Sequence, residues 1–166
     1  MTSTTHHETQ IVADPDVPLI RIIREFDAPT AKVFRAHTDP DLLVQWLGPR
    51  GLEMRIDHFD CRTGGSYRYI HARDGEEYGF HGCFHEVRPD ELIVQTFTFE
   101  GFPDGVALEK LLLEDLGDGR TRLTATSLVD SFEGRDAFVA SGMETGVIEG
   151  YERLDEVLAG SWVSAR

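Results

Sequence analysis

Positive charge is what this chain lacks most: 16 Lys and Arg stand against 30 Asp and Glu, a formal net charge of −14. Phosphate recognition needs clustered Lys and Arg, so the deficit argues against nucleic acid or anionic lipid as a partner. No apolar run approaches the ~20 residues that span a bilayer. The amino terminus has no basic-then-apolar secretory pattern, which makes the cytoplasm the expected location and leaves no membrane partner. Cysteine is nearly absent. Cys61 and Cys83 form no metal pattern and read as reduced, partly buried thiols. Also missing are a glycine-rich loop with phosphate spacing and a nucleophile elbow; Gly64–Gly65 is an isolated hairpin turn with no Lys-Ser or Lys-Thr after it. No cofactor is expected. The seven histidines do not supply a metal site either, because His37, His58, His71, His81 and His85 fall on different elements. His81 and His85 share a strand face but stand about 13 Å apart by strand rise, too far for one zinc.

What is present fits one domain of 166 residues, 40% hydrophobic, long enough to bury a core. Residues 1–18 are polar and aperiodic and read as a flexible tail, the domain as 19–160, and 161–166 as a second tail. Leu19–Phe26 is a strand. Asp27 is expected to cap a helix with Pro29 in its first turn, and Thr38, Asp39 and Pro40 to open a second short one that ends at Gly48–Pro49. His37, in the first helix, reads as a hydrogen-bonded residue at the core edge. Six strands follow at 53–60, 66–72, 77–87, 91–99, 106–114 and 120–128, separated by Gly-, Asp- and Pro-rich turns. Loops this short make antiparallel neighbours. Ser141–Leu158 is a long helix with Met143, Val147, Tyr151, Leu154 and Leu158 on one face. Beside that face runs a stripe of Gly142, Gly146 and Gly150. Glycine inside a helix costs about 1 kcal/mol against alanine, so either another backbone approaches there or the missing side chains leave room for a cavity. Ser141–Gly142 is also a candidate helix break. The fold class is α+β: a curved antiparallel sheet of about seven strands, two short helices after the first, and a long carboxy-terminal helix.

Alternation assigns the faces. Tyr67, Tyr69 and His71 point inward, as do Leu123, Ala125 and Ser127, and Glu109, Leu111 and Leu113. In 77–87 the Phe80, Gly82 and Phe84 face is taken as inner on burial tendencies. Glu86 comes inside with it unless a bulge intervenes.

The segments FDAPTAKVFRAHTDPDLLVQWLGP, IDHFDCRTGGSYRY, GEEYGFHGCFHEVRPDELIVQTF and SGMETGVIEGYERLDEVLA resemble the bacterial proteins similar to the activator of the heat-shock-protein-90 ATPase. That family belongs to the SRPBCC superfamily, with the START lipid-transfer domains, polyketide cyclases and birch pollen allergen. The likeness runs from Leu19 to Ala159. It rests on WLGP, on the turn with Asp60, Arg62, Gly64 and Gly65, and on the terminal GYERL, none of them catalytic. It implies a helix-grip fold with a cavity between sheet and helix, which would account for the glycine stripe. The eukaryotic activator carries a further amino-terminal domain that engages the chaperone. Here only a short tail precedes the fold, so chaperone activation is not expected.

The expected function is binding of an apolar or aromatic small molecule in that cavity. Trp46, Tyr67, Tyr69, Phe80, Phe84 and Phe97 form the aromatic lining, and Met143, Val147 and Tyr151 the helix wall. A homodimer is possible. The alternatives are a cyclase- or hydrolase-type enzyme, or an accessory partner of a chaperone or regulator. Glu86 and Glu109 are the candidate acids or bases, since a carboxyl facing a dry apolar cavity titrates high. The competing reading pairs each with an Arg or Tyr at the cavity mouth.

Overall fold

A computed structural model describes residues 7–160; positions 1–6 and the tail expected at 161–166 lie outside the described residues. The elements in chain order are β1 (Gln10–Ala13), β2 (Leu19–Phe26), α1 (Thr30–Thr38), α2 (Pro40–Leu43), β3 (Glu53–Phe59), β4 (Ser66–Arg73), β5 (Glu76–Arg88), β6 (Leu92–Phe99), β7 (Ala107–Gly117), β8 (Arg120–Leu128), α3 (Phe132–Ala140) and α4 (Met143–Ala159). The strands form one sheet in the order β1-β2-β8-β7-β6-β5-β4-β3, with every neighbour antiparallel. It is an α+β helix-grip fold: the sheet curves around α4.

Two elements were not anticipated. Gln10–Ala13 lies in the stretch expected to be a flexible tail, yet it pairs with Ile20–Ile23 of β2, and Ile11 packs against the core. Four residues carry little pattern of their own, although Asp14–Pro15–Asp16 after them is turn chemistry, with the Asp16 and Val17 N–H donating to the Asp14 carboxylate, and the exposed ladder of β2 supplies the order. This makes eight strands among the described residues rather than about seven. The second is α3, which opens where Ser131 accepts a bond from the Gly134 N–H. Gly142, at φ +88, breaks the chain between α3 and α4, as the Ser141–Gly142 alternative allowed. Asp27 does not cap α1. Pro29 occupies the cap position, two residues further on, and the Asp27 carboxylate instead shares a 2.8 Å hydrogen bond with His7. Asp39 does cap α2, accepting from the Asp41 N–H.

β2 shows how one strand fastens sheet to helix. Its inner side chains are Ile20, Ile22, Arg24 and Phe26, all buried. Arg24, only 1% exposed, reaches α4 and donates to both carboxylate oxygens of Asp155, at 3.0 and 2.5 Å, with its guanidinium 4.8 Å from the Phe26 ring centre. Such a pair holds only because both partners are present; a lone guanidinium at that depth would cost several kcal/mol.

The glycine stripe turns out to be a packing surface. A Cβ on Gly150 would stand 3.2 Å from the Trp46 carbonyl oxygen, and one on Gly146 would stand 3.4 Å from Pro49 Cδ. The backbone from Trp46 to Pro49 therefore lies against α4, and the cavity does not explain the stripe. The expectation that it bordered a cavity is corrected accordingly.

Candidate functional site

The interior on the other side of that contact holds a cavity of about 290 Å³ between sheet, α1–α2 and α4. Its wall is mainly aromatic and aliphatic, with Ile22, Leu43, Leu47, Phe59, Ile93 and Leu111 beside the aromatic residues. Alternation builds it as expected: Tyr67 and Tyr69 come from β4, Phe84 from β5, Phe97 from β6, Glu109 and Leu111 from β7, Ala125 and Ser127 from β8. Trp46 closes one side, held by its indole N–H donating to the Ala36 carbonyl at 2.9 Å and stacked on Tyr151 at 6.1 Å. Val147 and Tyr151 form the helix wall.

Of the side chains expected at the site, the structure brings together Trp46, Tyr67, Tyr69, Phe84, Phe97, Val147, Tyr151 and Glu109. Phe80 and Met143 fall outside: they line a neighbouring surface depression with His71, Arg73 and Tyr78. The inner sheet face runs on past the end of the cavity, so pointing inward is not the same as reaching it. Glu86 also falls outside. The β5–β6 register slips between Phe84 and Glu86, leaving His85 as an extra residue. Glu86 consequently sits opposite Val94 on the outer face, and Val87 sits opposite the buried Ile93. Cys83 is exposed, not partly buried, while Cys61 is half-buried with its thiol pushed up to about 11 by burial.

Glu109 is the polar centre. Burial pushes its carboxyl up to about 7, against smaller opposing effects from Gln95 and Ser127. Its remaining accessible surface is cavity wall, since the group itself lies deep inside the protein. Gln95 Nε2 donates to Glu109 Oε1 at 3.0 Å and reaches the Tyr67 hydroxyl at 3.3 Å; that hydroxyl donates to the Thr96 carbonyl at 2.7 Å. The last bond needs a glycine at position 82, because a Cβ there would lie 1.9 Å from the Thr96 oxygen and 2.7 Å from the Tyr67 hydroxyl. Ser127, opposite Glu109 in the β7–β8 pair, is close enough to favour the charged carboxylate but makes no well-formed hydrogen bond. No described cation comes within ion-pair distance of Glu109. For Glu109 the pairing with an Arg therefore does not occur among the described residues, and its link to a tyrosine, Tyr67, runs through Gln95.

Sequence reasoning missed Gln95 and the cavity role of His37 and Ser127. Gln95 was findable, since it alternates with Ile93 and Phe97. His37 lines the cavity with Nδ1 bonded to the Val33 carbonyl at 2.8 Å, and burial lowers its pKa to about 4, so it is neutral. Among the described residues, no three His, Cys, Asp or Glu gather closely enough to hold a metal ion. No described helix is long and apolar enough to cross a membrane.

A curved antiparallel sheet closed on a long carboxy-terminal helix, with a cavity between them, defines the helix-grip class. Residues 27–159 match the family model described as Activator of Hsp90 ATPase homolog 1-like protein, and the chain belongs to that family, within the SRPBCC superfamily. Solved structures agree. A protein from Rhodobacter sphaeroides is 30% identical with a TM-score of 0.81, over 90% of this chain and 97% of that one. One from Arthrobacter aurescens is 27% identical with a TM-score of 0.83, over 90% and 91%. One from Mycobacterium smegmatis, at 23% identity and a TM-score of 0.83 over 94% and 100%, shares the fold. Among curated proteins, none matches the chain.

Proposed function

We propose that this protein holds an apolar or aromatic small molecule in the cavity between the sheet and α4. The observation that carries this reading is the wall itself: Trp46, Tyr67, Tyr69, Phe84, Phe97, Val147 and Tyr151 enclose about 290 Å³ around one small polar cluster. A cavity of roughly 150 Å³ admits benzene, so this one has room for a bicyclic ring system. Native mass spectrometry of the freshly purified protein tests for carried ligand and reports whether the chain dimerises. A titration with the neutral bicyclic dye 2-methoxynaphthalene, followed by its fluorescence, provides the second arm. Wild type should take up the dye, and Val147→Trp, which fills the cavity from α4, should not, with its circular dichroism unchanged. Equal uptake by both proteins would place the dye elsewhere and remove the support for this reading.

Glu109 favours a second reading, acid–base chemistry on a bound molecule. A carboxyl that titrates at about 7 is suited to exchanging protons at neutral pH. Catalysis would show as turnover of a captured ligand that Glu109→Gln abolishes without weakening binding.

A further inference from the structure

The hydrogen-bonding groups around the cavity are unevenly disposed. Apart from the exposed Lys110, the wall side chains that carry an N–H commit it within the protein: Trp46 to the Ala36 carbonyl, Gln95 to Glu109 and Tyr67, and His37 to the Val33 carbonyl. Because a carbonyl only accepts, the His37 proton sits on Nδ1, and Nε2 is left as an acceptor. The Tyr67 O–H is spent on Thr96. Glu109 Oε2, Gln95 Oε1 and His37 Nε2 receive no hydrogen bond from the described residues. All three are acceptors. The hydroxyls of Ser127, Tyr69 and Tyr151 can serve in either sense.

A ligand that brings hydrogens suits the three pure acceptors, and the one ionisable acid in the wall has no cation within ion-pair distance among the described residues. Glu109 is faced by Tyr67 and Tyr69 from β4 and by Tyr151 from α4. His37 on α1 is neutral, and the Lys110 side chain is exposed on the outer face of β7. Tyr67 and Tyr69 stack at 6.1 Å, and ring faces attract a cation once it is removed from water.

We infer that the cavity takes an arylalkylamine, with its ring against the aromatic wall and its ammonium donating to Glu109 Oε2. This rests on the cavity-binding reading above and names the chemistry of its ligand. An ammonium beside the carboxyl favours the ionised form, so binding expels the carboxyl proton where one is present. A ligand carbonyl would need the protonated acid, and the opposite pH dependence would follow.

Three indoles of similar shape separate these cases by calorimetric titration: tryptamine, tryptophol and indole-3-acetate. At pH 8 tryptamine should bind about tenfold or more tighter than tryptophol, and indole-3-acetate should not bind. Tryptamine affinity should rise about tenfold from pH 6 to pH 8 as Glu109 ionises, and Glu109→Gln should abolish both the preference and the slope. The wild-type series stands without that variant. Tryptophol binding as tightly as tryptamine, affinity falling with pH, or uptake of the acid would overturn the amine assignment and leave the cavity reading intact. Failure of all three indoles with 2-methoxynaphthalene still bound overturns it too; failure of the dye as well sinks both readings.

Discussion

Replacing Glu109 by Gln should make the protein more stable, and only above mildly acidic pH. The carboxyl titrates at about 7 in the folded chain against an ordinary 4.5. Below pH 4.5 it is protonated in both states and costs nothing. Between 4.5 and about 7 the unfolded chain releases the proton while the folded chain keeps it, so stability falls as pH rises. Above that the full penalty remains. At ~1.4 kcal/mol per pH unit it amounts to about 3 kcal/mol, and water entering the cavity reduces it toward ~1 kcal/mol. The glutamine amide keeps an oxygen for Gln95 and offers hydrogens to Ser127, so the isostere loses little packing. For a domain of this length, 1 kcal/mol shifts Tm by about 2–4 °C. Thermal melts of both proteins should then agree at pH 4.5 and separate by about 3–10 °C at pH 8, the variant being higher. Other titrating groups cancel in the difference. A variant that is less stable at pH 8, or a gap that ignores pH, would mean the carboxylate is charged and well solvated, and the account of Glu109 as a desolvated acid would fail.

The glycine stripe gives a paired expectation. Gly146→Ala meets Pro49 Cδ at an ordinary 3.4 Å and should gain up to ~1 kcal/mol of helix preference, whereas Gly150→Ala presses on the Trp46 carbonyl at 3.2 Å. Gly150→Ala should gain nothing or lose about 1 kcal/mol by chemical denaturation, and equal gains at both sites would refute the packing account. Asp155→Ala should destabilise by about 3 kcal/mol, because it strands the Arg24 guanidinium, and Arg24→Met by less; the reverse order in urea melts would contradict the buried-pair argument. Removing residues 1–9 should leave Tm within about 2 °C. Removing 1–13 should lower it by about 4–8 °C through loss of the β1 ladder and of Ile11 burial, roughly 2 kcal/mol.

Period-two patterning made most of the sheet legible. Tyr67, Tyr69 and His71 are buried as their alternation required, and Glu109 faces inward because Leu111 and Leu113 do. Patterning failed where a neighbour decides the outcome. β1 has four residues and owes its order to β2. The extra residue at His85 belongs to the pairing of β5 with β6, and no local signal in β5 reveals which strand carries it. The stripe on α4 was visible, but glycine looks the same beside a backbone and beside a void. At the site, the aromatic wall was readable from alternation, while Phe80 and Met143 were misplaced because sequence does not say where a curved sheet outruns the cavity. The Gln95–Glu109–Tyr67 cluster needed β7, β6 and β4 brought within reach of one another across Gly82 of β5.

Because the sheet is open, β1 and β3 form its two edges, each with one row of unpaired backbone groups. β3 carries Glu53, Arg55 and Asp57, charges that discourage another chain from docking. β1, with the sequence QIVA, carries none, but it is only four residues long. Behind it lies LIRIIREF, twice as long and with three isoleucines, its outer face carrying only Arg21 and Glu25 as charges. Trimming the chain past Ala13 would therefore trade a short edge for a long sticky one, and such a fragment should aggregate well below its own melting point. The four residues of β1 matter as much for keeping copies of the protein apart as for holding one copy together.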